Sequence, residues 1–342
     1  MNASVNTPVV DVHAHVLFPE VMNLVGAAGP EMGVKDGVAF FRSGDYVLTN
    51  VRFTNAPFSN IDLRLAAMDR MGIDHQLLSP NPLTYFYTQP PQLAAAFCRA
   101  QNDCIAQAVR AHPRRFSGLA QLPMQDPQAA AHELERCVKE LGLVGAYTGA
   151  RFGDIGLADR QLDPVWQACA RLDVPVVIHP ATEDAEAPAG AGRGGSRDYD
   201  FDIVLGFAQD ETAAIGQLLF SGVLDRNSGL RVHVPHGGGT APYLKGRMRM
   251  AVERRPWGRG LLERGFDASW SQLSFDCLVG TQEAMQFIIA SEGSDRVMLG
   301  TNFAGWDEDD GVIERVRGLP VDAASRDAVL GQTAIRYFKL PL

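Results

Sequence analysis

Short apolar runs alternate with amphipathic segments along almost the whole of this 342-residue chain. Eight runs are rich in β-branched or other apolar residues, which is typical of strands that are buried on both faces. They cover residues 9–12, 76–78, 116–122, 144–147, 174–178, 231–234, 272–275 and 296–299. Helix-like segments between them include residues 93–111, 127–141, 162–172 and 283–291. Eight such repeats predict an α/β fold, a (β/α)8 TIM barrel, with an open doubly wound sheet as the alternative.

Two stretches interrupt the alternation. Residues 16–57 leave room for a small insertion after strand 1, with a hairpin around residues 38–53. Residues 181–199 are rich in Ala and Gly, which fits either a surface loop or a lid over a site at the C-terminal face of the barrel. No spacer between domains is visible, so residues 1–342 are predicted to form a single barrel domain.

Four of the eight histidines lie at the ends of predicted strands. His13 and His15 are two residues apart, so in a strand both side chains leave the same face. His179 and His236 directly follow two later strand runs. A His-x-His pair alone is a weak indication, and any single histidine could be structural. Four histidines at one rim of a barrel would converge on one point, where imidazoles suit a divalent metal such as zinc.

Composition restricts the function classes. A formal net charge of −9 argues against nucleic-acid binding, which needs clustered positive charge. Five cysteines without a Cys-x-x-Cys motif fit a reduced compartment better than a disulfide framework. The first seven residues lack a secretory signal, and no apolar run reaches the roughly 18 residues that span a bilayer. We therefore expect a cytoplasmic protein that binds no membrane.

Seven motifs together resemble the amidohydrolase superfamily, in the branch around aminocarboxymuconate-semialdehyde decarboxylase. The resemblance covers nearly the whole chain, and the motifs occur in the expected order. They are Asp11-Val12-His13-Ala14-His15, Leu122-Pro123-Met124-Gln125, Glu135-Arg136-Cys137-Val138-Lys139-Glu140-Leu141-Gly142, His179-Pro180, His236-Gly237-Gly238-Gly239, Phe275-Asp276-Cys277-Leu278-Val279 and Leu299-Gly300-Thr301-Asn302-Phe303.

The resemblance implies a barrel of the metal-dependent hydrolase type. His13, His15 and His179 would hold a divalent metal, with Zn²⁺ favoured over Mn²⁺. His236 would be the catalytic acid or base. This division agrees with coordination chemistry, because three neutral imidazoles leave a position open on the metal and a fourth histidine can move protons.

One position departs from the family pattern. The family has a metal-binding aspartate in a Gly-Thr-Asp sequence, whereas this chain has Asn302. An amide ligates only through its carbonyl oxygen and cannot act as a base. Asn302 is then a weak ligand or a substrate-binding group in the catalytic site, or a carboxylate such as Asp307, Asp276 or Glu183 substitutes for it. Loss of metal chemistry is the third, less favoured alternative.

The resemblance also points to groups that bind substrate. Arg255 matches a family position for a carboxylate-binding arginine by its distance from His236, and Arg247 lies in the same region. In the family this arginine can cross a dimer interface, so we expect a homodimer. Arg52 is a looser match for a second such arginine, and Tyr85 could line an aromatic pocket. Arginine suits acidic substrates because it pairs with a carboxylate through two hydrogen bonds.

The leading functional hypothesis is a metal-dependent non-oxidative decarboxylase acting on a small aromatic or muconate-type carboxylic acid. Decarboxylation needs an acid and an electron sink more than a strong hydroxide nucleophile, so it tolerates Asn302 best. The alternative is a metal-dependent hydrolase or hydratase that attacks a C–C, amide or lactone bond. A non-catalytic barrel that binds a small acid is the third hypothesis, since a fold alone does not decide chemistry.

Overall fold

The computed structural model describes residues 7–51, 53–182, 198–305 and 308–342. Each predicted strand run overlaps an observed strand, and every residue of those eight strands is buried. The strands in chain order are β1 Val10–Val16, β2 Glu31–Lys35, β3 Val38–Ser43, β4 Tyr46–Thr49, β5 His75–Pro80, β6 Phe116–Gln121, β7 Gly145–Thr148, β8 Arg151–Phe152, β9 Ile155–Gly156, β10 Val176–Ile178, β11 Val232–Val234, β12 Leu273–Asp276 and β13 Val297–Met298.

The central sheet is parallel and closes on itself. Its strand order is β1-β5-β6-β7-β10-β11-β12-β13. The two end strands meet, because the backbone N–H of Val12 donates to the Leu299 carbonyl at 2.9 Å and that of His15 donates to the Phe303 carbonyl at 3.0 Å. The predicted (β/α)8 TIM barrel is therefore confirmed, and the open-sheet alternative is wrong.

Helices follow the barrel strands, and several begin and end at residues that favour those positions. Asn60 caps α1 by accepting a hydrogen bond from the Leu63 N–H, and the helix ends at the left-handed Gly72. The helices are α1 Ile61–Met71, α2 Pro91–Ala111, α3 Pro127–Lys139, α4 Asp163–Leu172, α5 Phe201–Val204, α6 Gly206–Phe220, α7 Val223–Arg226, α8 Ala241–Arg254, α9 Phe266–Trp270, α10 Gln282–Glu292, α11 Val312–Arg317, α12 Ala323–Asp327 and α13 Thr333–Phe338. Among the described helices, none combines the length and apolar character of a bilayer-spanning segment.

The region predicted as an insertion after the first strand contains a small antiparallel sheet. The hairpin predicted around residues 38–53 corresponds to β3 and β4, which pair antiparallel, and β2 adds a third strand that was not predicted. Apolar side chains of this sheet, such as Phe41 and Leu48, belong to a hydrophobic cluster separate from the main core. The sheet therefore has its own packing support beside the barrel mouth. The predicted lid at 181–199 falls mainly on residues 183–197, which lie outside the described residues.

Candidate active site

Three histidines from two barrel strands meet at the C-terminal mouth. His13 and His15 lie on β1, and His179 follows β10 directly. The ring centroids are 5.1 Å apart for His13 and His15, 5.1 Å for His13 and His179, and 5.0 Å for His15 and His179. One ligand nitrogen from each ring lies within 4.8 Å of the others. This spacing suits a single shared cation.

Hydrogen bonds at the far nitrogens orient these rings. His13 Nδ1 donates to Asp276 Oδ2 at 2.9 Å, and His179 Nδ1 donates to the Pro180 carbonyl at 2.5 Å. The Nε2 atoms of both rings are buried and have no hydrogen-bond partner within the described residues. An imidazole that donates from one nitrogen presents a lone pair on the other, which is the usual arrangement for a metal-binding histidine.

The surroundings favour the neutral form of two of these rings. Burial, followed by repulsion from neighbouring imidazoles, lowers the pKa of His15 and of His179 well below the usual value. Neutral imidazole is the form that binds a metal. The donor set, the orphaned nitrogens and the ring spacing therefore fit a divalent ion held by His13, His15 and His179.

A buried carboxylate joins the two strands that close the barrel beneath this cluster. Asp11 accepts hydrogen bonds from the His13 N–H at 3.0 Å, from the Thr301 hydroxyl at 2.7 Å and from Gln76 Nε2 at 3.0 Å. Burial raises its pKa to about 6. These bonds fix the His-x-His strand relative to the loop that carries Asn302.

Arg64 supports the same region from α1 and was not identified from the sequence. Its guanidinium is fully buried, donates to the His15 carbonyl and to Gln76 Oε1, and lies 4.5 Å from the centre of the Phe303 ring. Burial lowers its pKa to about 9. This value is still above neutral pH, so the guanidinium remains charged there. Charged residues are common on the exposed faces of helices, so no sequence pattern indicated that Arg64 is buried and supports the site.

The fourth histidine of the rim has a buried acidic partner. His236 follows β11, and its ring centroid lies 4.9 Å from that of His13 and 5.1 Å from that of His179. Its Nδ1 lies 2.6 Å from Oε1 of Glu211, which is fully buried on α6. Burial raises the pKa of Glu211 to about 7, against the lowering effect of His236. Glu211 thus fixes the ring and can stabilise its protonated form, and the sequence reasoning missed it.

The glycine run after His236 lets α6 approach closely enough for this contact. A Cβ atom at Gly239 would collide with the carbonyl oxygen of Ala208 on α6, and the residue has φ of +61°. Only glycine fits both conditions without strain. Gly239 therefore has a packing role, which is to let α6 lie against the loop that carries His236.

Asn302 lies at the same mouth, in a left-handed backbone conformation with φ of +50° that asparagine tolerates well. It lines one cavity together with His15, His179 and His236. Asp276, one candidate substitute carboxylate, instead lies behind His13 and accepts from the backbone N–H groups of Gly237 and Leu278 through its other oxygen. The other candidates, Asp307 and Glu183, lie outside the described residues, as does Arg52.

This cavity has a volume of about 290 Å³ and lies between the histidines and the inserted sheet. Most of its polar side chains lie at the barrel mouth, whereas Leu48, Val51, Phe53 and Leu83 form an apolar wall beside Tyr46 of β4. A second cavity of about 390 Å³ shares His236 with it. The site can therefore hold a small, largely apolar molecule against the histidine cluster.

The sequence profile of a family described as Amidohydrolase matches residues 10–340. The chain belongs to this amidohydrolase family. It is 32% identical over 243 residues to 2-amino-3-carboxymuconate-6-semialdehyde decarboxylase of Dictyostelium discoideum, a match that covers 71% of this chain and 66% of that protein. It is 30% identical over 295 residues to gamma-resorcylate decarboxylase of Rhizobium sp., which covers 82% of this chain and 87% of that protein.

A solved structure with the same fold holds a metal. This chain is 25% identical to a dihydroxybenzoic acid decarboxylase from Polaromonas sp. with bound manganese and the inhibitor 2-nitroresorcinol. The TM-score is 0.79, and the superposition covers 98% of each chain. The resemblance drawn from the motifs is confirmed at the level of the family and of the fold.

The remaining predicted substrate residues do not line the cavity beside the histidines. Arg247 on α8 and Arg255 at its end are exposed in the single chain, and neither lines the cavity beside the histidines. Tyr85 is fully buried, and its hydroxyl donates to the His179 carbonyl at 2.9 Å. Tyr85 therefore supports His179 through the backbone, and the substrate roles of all three residues stay predictions.

The protein should bind a divalent metal more tightly when Asn302 is replaced by aspartate. Asn302→Asp adds an anionic oxygen at a position that shares the cavity with His15 and His179, so we expect the dissociation constant for Zn²⁺ to fall by about tenfold or more. Competition with a chromophoric chelator measures the dissociation constant for Zn²⁺. Asn302→Ala is the control for loss of the amide, and an unchanged constant in Asn302→Asp would show that position 302 does not reach the ion.

Proposed function

We propose that this amidohydrolase is a metal-dependent non-oxidative decarboxylase of a small aromatic or muconate-type carboxylic acid. The observation that carries the proposal is that one small cavity is lined both by two histidines of the three-imidazole site and by His236, whose ring is held by the buried Glu211. Decarboxylases among the relatives, and a decarboxylase structure with the same fold, support the reaction class.

His13, His15 and His179 would hold the metal in this proposal. When bound, a divalent ion supplies positive charge that orients and polarises the carboxylate and an adjacent oxygen of the substrate. Three nitrogen ligands favour Zn²⁺, and the manganese in the Polaromonas structure makes Mn²⁺ the second candidate.

The chain's own residues would carry the proton transfer. His236 delivers a proton to the carbon that bears the carboxylate. The bond between that carbon and the carboxylate then breaks, its electron pair returns to the conjugated system, and CO₂ leaves. Glu211 holds the His236 ring and offsets the charge on its protonated form before transfer. The apolar wall excludes water, which strengthens the electrostatic contacts within the site.

Asn302 favours this reaction over the hydrolase and hydratase alternatives. Its amide cannot accept the proton of an attacking water, whereas it can donate a hydrogen bond to a substrate oxygen. Arg255, Arg247 and Arg52 are proposed to pair with the substrate carboxylate. For Arg255 and Arg247, which are exposed in one chain, this role would need the partner of a homodimer.

Metal removal and CO₂ release test the proposal together. With 2-hydroxybenzoic acids as substrates, we expect one CO₂ per acid consumed, loss of activity with a chelator, and recovery with Zn²⁺ or Mn²⁺. The reaction in ¹⁸O-labelled water separates the alternatives. Label in the organic product without CO₂ would support a hydrolase or hydratase, and acid binding without a stoichiometric metal would support a non-catalytic barrel.

A further inference from the structure

Thr182 has a buried hydroxyl group in the wall of the cavity beside the histidines. The residue lies three positions after His179, in the segment that leaves β10 at the barrel mouth. It is 3% exposed and lines the cavity together with His15, His179 and Asn302. Its Oγ1 atom is buried and has no hydrogen-bond partner among the residues that the structure describes. Because buried polar groups are normally hydrogen-bonded, we expect this hydroxyl to find its partner outside the protein chain.

The metal site does not account for this hydroxyl. His179 Nε2, in the same wall, is also buried without a partner within the described part of the chain, and it is the nitrogen available to a metal. Zinc in proteins takes thiolate, imidazole and carboxylate ligands, and a neutral hydroxyl is not among the usual ones. The ion therefore explains the unpaired nitrogen of His179 and leaves the Thr182 hydroxyl unexplained.

Neighbouring side chains of the cavity do not account for it either. Asn81 lines the same cavity, but its Oδ1 accepts a hydrogen bond from the backbone N–H of Leu83 at 2.8 Å. Phe207, whose ring centroid lies 5.8 Å from that of His179, carries no polar side-chain atom. A molecule bound in the cavity is therefore the partner that fits the Thr182 hydroxyl best.

The chemistry of the hydroxyl determines what kind of group it binds. A threonine hydroxyl donates one hydrogen bond, and rotation about its Cα–Cβ bond changes the direction of that bond. The carboxylate of the proposed substrate, and an ionised oxygen next to it, are strong acceptors. Hydrogen bonds to ionised oxygens are shorter and stronger than those between neutral groups, so such an oxygen suits Thr182.

We infer that Thr182 is a substrate-binding residue whose hydroxyl donates a hydrogen bond to an anionic oxygen of the substrate beside the histidine cluster. This inference rests on the proposed function, which supplies the carboxylic acid, and it adds a binding group that the sequence motifs do not contain. The acceptor is an oxygen of the carboxylate or the oxygen next to it, and two probe acids distinguish these.

Thr182→Val tests the inference, because valine keeps the shape of threonine and removes the hydroxyl. Isothermal calorimetry on the full chain loaded with Zn²⁺ or Mn²⁺ measures the dissociation constants of 2-hydroxybenzoate and benzoate. We expect the constant for 2-hydroxybenzoate to rise by about 10-fold or more, because the lost hydrogen bond is to a charged group. Weaker binding of both acids assigns the contact to the carboxylate, and weaker binding of 2-hydroxybenzoate alone assigns it to the neighbouring oxygen. An unchanged constant for 2-hydroxybenzoate would overturn the inference.

Two further variants separate the hydroxyl from packing. Thr182→Ser keeps the hydroxyl and should retain most of the wild-type affinity. Thr148→Val is the matched control, because Oγ1 of Thr148 is also buried without a partner in the described ranges, whereas Thr148 does not line the cavity. The ring of the preceding Tyr147 lies 5.8 Å from that of His179, so Thr148 faces the other side of β7. Equal loss of affinity in Thr148→Val, or in Thr182→Ser, would overturn the inference.

Thermal unfolding without a ligand separates substrate binding from a structural role. Thr182→Val removes no hydrogen bond within the described protein, so its melting temperature should not fall below that of the wild type. A lower melting temperature would show that the hydroxyl has a partner within the protein, and it would overturn the inference.

Binding and turnover keep this inference distinguishable from the proposed function. Weaker acid binding in Thr182→Val, with no CO₂ release by the wild type, would contradict the decarboxylase proposal and support the role of Thr182. CO₂ release by the wild type, with unchanged binding of 2-hydroxybenzoate in Thr182→Val, would support the decarboxylase proposal and overturn the role of Thr182.

Discussion

Replacing His179 with alanine is expected to abolish stoichiometric metal binding. His179 supplies one of three ligand nitrogens within 4.8 Å of one another, and its Nε2 has no other partner among the residues described. Changes to groups that only orient a ligand already weaken metal binding 10–100-fold, so loss of a ligand should weaken it by more than about 100-fold. Plasma mass spectrometry on the dialysed protein measures the retained metal.

Two features make this variant informative. Tyr85 donates to the backbone carbonyl of His179, so His179→Ala keeps that support and the fold should persist. His132→Ala is the control, because His132 is an exposed histidine on α3 and should retain the full metal content. Full metal occupancy in a folded His179→Ala protein would reject the ligand assignment.

Replacing His236 is expected to leave the metal in place and remove turnover. General acid–base catalysis contributes about 10²–10⁴-fold, so kcat should fall by that factor while the metal content stays unchanged. His236→Ala tests this directly. His236→Asn is the companion variant, because residue 236 has φ of +46° and asparagine tolerates this left-handed conformation better than alanine does. Wild-type kcat in both variants would exclude a proton-transfer role.

Replacing Glu211 tests the proton-transfer role of His236 through the residue that holds its ring. Glu211→Gln keeps a hydrogen-bonding group near Nδ1 of His236 but removes the negative charge, whereas Glu211→Ala removes both. We expect kcat to fall in both variants, and to fall further in Glu211→Ala, with little change in KM. The metal content of these variants should match that of the wild type.

The barrel was predictable because its strands are buried on both faces, which leaves continuous apolar runs separated by amphipathic segments. Alternating strands and helices then place all strand C-termini at one rim, so His13, His15, His179 and His236 could be brought together from their positions alone. The inserted sheet was less predictable. Its β2 strand contains Gly33 and ends in the exposed Lys35, so it lacks the apolar pattern of a buried strand.

The supporting residues of the site were missed for a different reason. Glu211 and Arg64 lie inside helices and far along the chain from the histidines that they support, and a single charged residue in a helix normally faces solvent. Only the packing of α6 against the His236 loop, and of α1 beneath β1, shows that these charges are buried. A resemblance to the family could not supply them, since its motifs contain neither residue.

Anomalous diffraction from crystals grown with Zn²⁺ tests the central claim most directly. The account predicts one strong peak at the zinc edge, about 2.0–2.1 Å from a ring nitrogen of each of His13, His15 and His179. A peak elsewhere, or full zinc occupancy without contact to these three nitrogens, would contradict it.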